Sequence, residues 1–130
     1  MKEIHIEQEL RSKAPAIIWH LISTGDGMGR WLADRVTQQG DELTFQWGNS
    51  WDHDEQRTAH IIHKEKHRVV RFAWTDADVP GTYVELRIER STITNDFILL
   101  VTDFADDDDA EWLRDMWQYN FKRLRLTGAL

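Results

Sequence analysis

The end of this sequence constrains the fold more than any other part of it. Residues 106–130 have the pattern of one long amphipathic helix, because Leu113, Trp117, Phe121 and Leu124 recur at spacings of four, four and three. An apolar helix face must pack against an apolar surface, and the strand-like segments before it offer the only extensive one. We therefore predict a long C-terminal helix that lies across an antiparallel sheet.

The rest of the chain has the order strand, two short helices and about six further strands. The first strand alternates around Ile4 and Ile6, and Pro15 stands where a first helical turn tolerates proline. We expect short helices at 16–22 and 30–33, joined by the glycine-rich segment 24–29, which we expect to be flexible and to act as a lid.

Composition limits the classes of function. The chain has 130 residues, which we predict to form a single domain, 1–130, and it contains no cysteine. With 23 acidic against 16 basic residues, its net charge is −7, which disfavours nucleic-acid binding and binding to anionic membranes. We find neither a signal-peptide core nor an apolar run near the ~20 residues of a membrane span. We expect a cytoplasmic protein that does not insert into membranes.

Five short motifs, in this order, resemble the START-like superfamily. They are Ala14 to Trp19, Gly29 to Asp34, Val70 to Trp74, Thr82 to Glu85, and Asp103 to Asp106. The chain is most similar to the small bacterial branch related to the C-terminal domain of the heat-shock chaperone ATPase activator. The resemblance implies an α+β helix-grip fold, in which a curved antiparallel sheet of about six or seven strands wraps around a long C-terminal helix. Members of the superfamily bind lipids, hormones or polyketides, cyclise aromatic precursors, or activate a chaperone.

Apolar residues predicted to face each other across the sheet and the last helix define a candidate cavity. We expect it to hold a small hydrophobic or aromatic ligand, although the same aromatic side chains could instead fill the space as an ordinary core. The cavity residues are Trp31, Phe45, Trp47, Val70, Phe72, Trp74, Val84, Leu86, Leu113, Trp117 and Phe121.

A second apolar line on the last helix comprises Trp112, Tyr119 and Leu126, seven residues apart. It either packs on the first helices or the chain end, or forms a partner surface for another protein or a second copy. We accordingly expect a monomer or a weak homodimer.

No residue pattern identifies a catalytic set, a cofactor site or a metal site. His53 and His60 have acidic neighbours, but on one strand their spacing places them on opposite faces. A cyclase-like enzyme is the remaining alternative, and its polar groups would come from Glu55, Arg57 and the histidines. If Glu55 and Arg57 face inward, they form a polar pair for a ligand's head group.

Overall fold

The computed structural model describes residues 1–48 and 55–128, in which seven strands and three helices follow one another. The strands are β1 (Lys2–Glu9), β2 (Arg35–Gln39), β3 (Glu42–Trp47), β4 (Glu55–Glu65), β5 (Val69–Trp74), β6 (Val84–Arg90) and β7 (Phe97–Ala105). The helices are α1 (Pro15–Ser23), α2 (Gly25–Met28) and α3 (Ala110–Gly128). In the described residues, no helix has the length and apolar character needed to cross a membrane.

The strands form one antiparallel sheet in the order β1-β7-β6-β5-β4-β3-β2. The first strand therefore pairs with the last, and α1 and α2 connect the two ends of the sheet. Its curvature is helped by a register shift in β4 between Ile61 and His63, because such a bulge bends a strand. The predicted α+β helix-grip fold is confirmed.

Helix α3 packs on the concave face through the predicted residues. Leu113, Trp117, Phe121 and Leu124, from here on the buried stripe, are each at most 7% exposed. They meet the alternating inward residues of the strands, including Leu86 and Leu99. Burial alternates along β1 and β3, whereas in the central strands Val69, Glu85 and Thr102 are also buried, next to inward residues.

Two helix positions differ from the prediction. Helix α3 begins at Ala110 and not at residue 106, because residues 106–109 form a turn in which the Asp109 amide donates to the Asp106 carbonyl. The second short helix lies within the glycine segment, at Gly25–Met28, where the Thr24 hydroxyl accepts from the Gly27 amide and caps it.

The glycine segment is packed and helical. Gly25, Gly27 and Met28 are buried, and a Cβ on Gly27 would collide with the His20 carbonyl oxygen in α1. Glycine is therefore required here for close contact between helices and not for mobility. The expectation of a flexible connector was therefore wrong, and the lid stays a prediction.

Candidate functional site

All eleven predicted cavity residues lie in the interior of the described structure, either in its core or packed against it. Trp47 and Trp74 are half-buried, whereas the other nine are buried. Trp31 is completely enclosed and contacts the rings of Trp117 and Phe121 on α3. The interior therefore has a closed end around Trp31 and a more accessible end around Trp47 and Trp74.

Aromatic rings occupy much of this interior. At the accessible end, the Phe45 ring lies 5.5 Å from Phe72 and 5.0 Å from Trp74, and Trp74 lies 6.2 Å from Trp47, measured between ring centroids. At the closed end, Trp31 lies 6.1 Å from Trp117 and 6.4 Å from Phe121. A ligand at the accessible end would require the rings of Trp47 and Trp74 to turn aside.

Three of the interior tryptophans, Trp31, Trp47 and Trp117, direct their indole N–H groups to different acceptors. Trp31 Nε1 donates to the Leu21 carbonyl at 2.8 Å, and Trp47 Nε1 donates to the Leu32 carbonyl at 3.1 Å. Trp117 Nε1 instead donates to a carboxylate oxygen, Oδ2 of Asp103, at 3.0 Å. The first two bonds join chain segments, whereas the third anchors a negative charge inside the fold.

Asp103 faces inward because of its place on β7. It lies on the same face of β7 as Leu99, Val101 and Ala105, the face that meets α3. The three other residues are apolar. As a residue it is half-buried, but its carboxylate is surrounded by protein on most sides. Burial raises the pKa of the Asp103 carboxyl above its ordinary value, and hydrogen bonds from Trp117 Nε1 and the Phe104 amide offset only part of that effect.

Arg57 supplies a cation to the same interior. It pairs with Phe45 across β3 and β4, which places its side chain on the concave face. Its guanidinium lies 4.0 Å from the Trp74 ring centroid and donates from Nη2 to Asp76 at 2.8 Å. This hydrogen bond lowers the pKa of Asp76, and the charge of Arg57 offsets a further small part of the burial effect on Asp103, whose pKa stays raised. The inner position considered for Arg57 is present, but its partner is Asp76 and not Glu55.

The arrangement suits non-covalent recognition of a mostly apolar molecule. An apolar aromatic wall with a few convergent polar groups is the usual composition of a small-molecule site. A buried carboxyl with a raised pKa can accept a hydrogen bond when ionised and donate one when protonated. Asp103 was not singled out from the sequence, although one charged residue within the alternation of Leu99, Val101 and Ala105 is a signal that could have identified it.

Metal ligation finds no support in the part of the chain that the structure describes. Within 1–48 and 55–128, no three histidine or acidic side chains lie close enough together to hold a metal ion. His60 lies on β4 beside Glu42, at 3.8 Å. His53 is outside the described residues.

The second apolar line of α3 is exposed. Trp112, Tyr119 and Leu126, from here on the outer line, are 65%, 63% and 80% exposed. Leu126 also forms one wall of a groove of about 780 Å³ between α1 and the end of α3, which includes Ile17 and Leu21. The line therefore does not pack on the first helices along its length.

Comparison with known proteins identifies related sequences and structures. Residues 1–129 match the family model of the START-like superfamily domain. The solution structure of BfR322 from Bacteroides fragilis is 33% identical, with coverage of 97% of this chain and 90% of that one and a TM-score of 0.63. No curated protein matches.

Two further similar structures are more distant in sequence. The Aha1 dimer from Colwellia psychrerythraea is 15% identical over 98% of this chain and 97% of that one, with a TM-score of 0.72. The AHSA1 protein from Silicibacter pomeroyi is 16% identical over 95% and 94%, also with a TM-score of 0.72. At these identities the likeness concerns the fold.

Proposed function

The chain belongs to the START-like superfamily, and on that premise we propose that it binds a small hydrophobic or aromatic molecule that carries one polar group. The ligand inserts between the sheet and α3 at the accessible end, beside Trp47 and Trp74. Its polar group meets the carboxyl of Asp103. The observation that carries this proposal is a largely buried carboxyl, held by Trp117, that faces an aromatic interior.

In a purely structural core, Asp103 would serve only as the acceptor for Trp117 Nε1, and uncharged main-chain carbonyls fill that role for Trp31 and Trp47. Burial of a charge costs free energy, and an apolar residue of similar volume would remove that cost. Residues whose pKa is shifted by burial inside a cleft are frequent at functional sites. Arg57 lies beside the same space on the Trp74 ring, so the ligand's polar group meets a carboxyl on one side and a guanidinium on the other.

The test compares two probes of nearly equal size, naphthalene and 2-naphthol, which differ by one hydroxyl group. The seven tryptophans provide the readout, because each indole N–H gives its own signal in a ¹H–¹⁵N correlation spectrum. We expect both probes to shift the signals of Trp74 and Trp117 and to leave that of the exposed Trp112 in place. 2-Naphthol should bind about tenfold more tightly, since a hydrogen bond to a charged group contributes about 1.5–3 kcal/mol.

Asp103→Leu keeps the branched shape of the side chain and removes the acceptor, so it should abolish the preference for 2-naphthol. Thr102→Val is the matched control, because Thr102 is the neighbouring residue on β7 and faces the opposite side of the sheet. An absence of saturable shifts at Trp74 and Trp117 with either probe would contradict the proposal. So would an equal preference for 2-naphthol in wild type and Asp103→Leu.

A second proposal concerns the outer line, which we propose to be a protein-interaction surface. Its support is the exposure of three large apolar side chains that share one side of a single helix, because apolar surface grouped on one face marks interaction sites. The similarity to Aha1 and AHSA1 proteins supports the fold and identifies no partner for this chain.

A photo-cross-linking residue at Gln118, next to Tyr119, tests the second proposal in cells. Cross-linked products should form from position 118 and not from the exposed Lys64 on β4. Equal or absent products at both positions would contradict it.

A further inference from the structure

The outer line points almost directly away from the body of the protein. At about 100° per residue, successive members of the outer line differ by about 20° around α3, so Trp112 and Leu126 lie about 40° apart, and Tyr119 lies about 150° from the middle of the buried stripe. Each is more than 60% exposed. Successive members are about 10 Å apart along the helix, since each residue rises about 1.5 Å. Together they form a narrow apolar ridge with Tyr119 at its centre.

Charged side chains along one flank of this ridge are divided by sign. Glu111 and Asp115 lie toward the start of α3, and Lys122 and Arg125 lie toward its end. All four are exposed. Viewed down the axis of α3, Asp115 is rotated by about 40° and Lys122 by about 60° from Tyr119, both in the same direction. The flank is therefore acidic in its first half and basic in its second, on either side of Tyr119.

We infer that this face binds a second copy of the same chain, with the two α3 helices antiparallel and Tyr119 on the two-fold axis. This inference rests on the second proposal above and names the partner. In that arrangement Trp112 of each copy lies opposite Leu126 of the other. Asp115 faces Lys122 of the second copy, and the same pair forms again by symmetry.

The charges select the antiparallel orientation. In a parallel pair related by a two-fold axis, the charged flanks of the two copies would lie on opposite sides of the ridge, so Asp115 and Lys122 would have no partner of opposite sign in the second copy. In the antiparallel pair, the acidic half of each flank faces the basic half of the other at both ends of the interface. Because the same patch is used by both copies, the assembly closes at two and does not extend into a filament.

The groove beside Leu126 provides a place for the partner's indole. Leu126 forms one wall of this groove, and Ile17 and Leu21 contribute further apolar atoms. Trp112 of the second copy, aligned with Leu126, reaches this groove. Tryptophan in an apolar pocket is a frequent anchor of protein interfaces.

The expected affinity is modest. Helix α3 has 19 residues, and one helix face of this length covers less than the standard interface. Interfaces below about 1,200 Å² are characteristic of weak or transient complexes. We therefore expect a dissociation constant in the micromolar range.

Sedimentation equilibrium at protein concentrations from about 10 µM to about 1 mM covers the range in which a dimer with a micromolar dissociation constant forms. The dimer fraction of the wild type should rise with concentration, while Trp112→Ala and Tyr119→Glu should remain monomeric. Asp115→Lys and Lys122→Asp should each weaken the dimer about fivefold, because each places like charges opposite each other twice. The double variant Asp115→Lys/Lys122→Asp should regain wild-type affinity, since the ion pairs form again with reversed signs.

Lys64→Asp, a reversal of the same size on an exposed strand residue, is the control and should leave the dimer unchanged. The inference is overturned if the wild type is monomeric throughout, if its dimer survives Trp112→Ala and Tyr119→Glu, or if the double variant stays weakened. If position 118 cross-links to a different protein and the wild type is monomeric, the proposed interaction surface is supported and the inference of a homodimer is overturned.

Discussion

Replacement of Trp117 by phenylalanine tests the physical account of the interior most directly. Phenylalanine keeps an aromatic ring on the buried stripe and removes the N–H that donates to Asp103 Oδ2 at 3.0 Å. The carboxylate then keeps the Phe104 amide as its described donor, at 2.8 Å. Trp117→Phe therefore separates the hydrogen bond from most of the packing.

The expected loss of stability has two parts. A hydrogen bond to a buried charged group contributes about 1.5–3 kcal/mol, and the smaller ring forfeits about 1 kcal/mol of apolar burial. The free energy of unfolding should fall by about 2.5–4 kcal/mol near pH 8. In a chain of 130 residues this lowers the Tm by about 9–15 °C, from an unfolding entropy of about 2.1 cal/mol/K per residue.

The pH dependence distinguishes this loss from an ordinary packing defect. Because burial raises the pKa of Asp103 in the folded state, that group lowers stability as the pH rises from the ordinary aspartate pKa, about 3.9, through the raised value. Loss of the Trp117 N–H raises the pKa of Asp103 further, so the penalty grows across this window. Trp117→Phe should be more destabilising near pH 8 than near pH 4.

Urea unfolding followed by far-UV circular dichroism measures both values, with Trp31→Phe as the matched control. Trp31 is equally buried and donates to a neutral carbonyl, that of Leu21, so its loss should cost about the same at both pH values. A cost for Trp117→Phe that does not change with pH, or an equal change for Trp31→Phe, would refute the assignment of a buried ionisable Asp103.

Two further predictions concern other parts of the fold. The pKa of Glu85 lies below its ordinary value. Burial by itself would raise this pKa, but the hydrogen bond from Arg71, at 2.6 Å, and nearby arginine charges outweigh the effect of burial. Glu85→Gln should therefore cost about 1–2 kcal/mol near pH 7, and urea titrations should show this cost disappearing below about pH 4, whereas the exposed Glu89→Gln on the same strand face should cost little. Gly27→Ala should lower the free energy of unfolding by about 3 kcal/mol or more, as measured by thermal unfolding, because the new Cβ would lie 2.6 Å from the Cα of Leu21. The control is Gly81→Ala, where the Cβ has open space but the backbone has a φ of +84°, and the loss should be about 1–2 kcal/mol. Equal costs for the two alanine variants would contradict the steric explanation.

Much of the fold was predictable because its signals are local. Alternation around Phe45, Phe72 and Leu86 specified strands and their inward faces, and the spacing of Trp117 and Phe121 specified the buried face of α3. These patterns depend on backbone periodicity, which neighbouring residues set by themselves.

The positions of turns and short helices were less predictable. The glycine segment has the composition of a flexible connector, yet Gly27 is needed for contact between α1 and α2. The acidic run before α3 resembles the first turn of a helix, but Asp106 and Asp107 pair with Met1 and Lys2 of the neighbouring first strand. Contacts between different elements decided both cases, and those of Asp106 and Asp107 also join residues that are remote in sequence.

The sequence by itself determined the class of fold, the side of α3 that is buried and the existence of a second apolar line on the same helix, because helix and strand periodicity are properties of nearby residues. Only the tertiary structure decided that Asp103 is enclosed and held by Trp117, and that Arg57 pairs with Asp76, 19 positions further along the chain. The physical reason is that burial and charge pairing depend on which strands become neighbours. The same carboxylate at a fully exposed strand position, without a charged neighbour, would be in water, with an ordinary pKa.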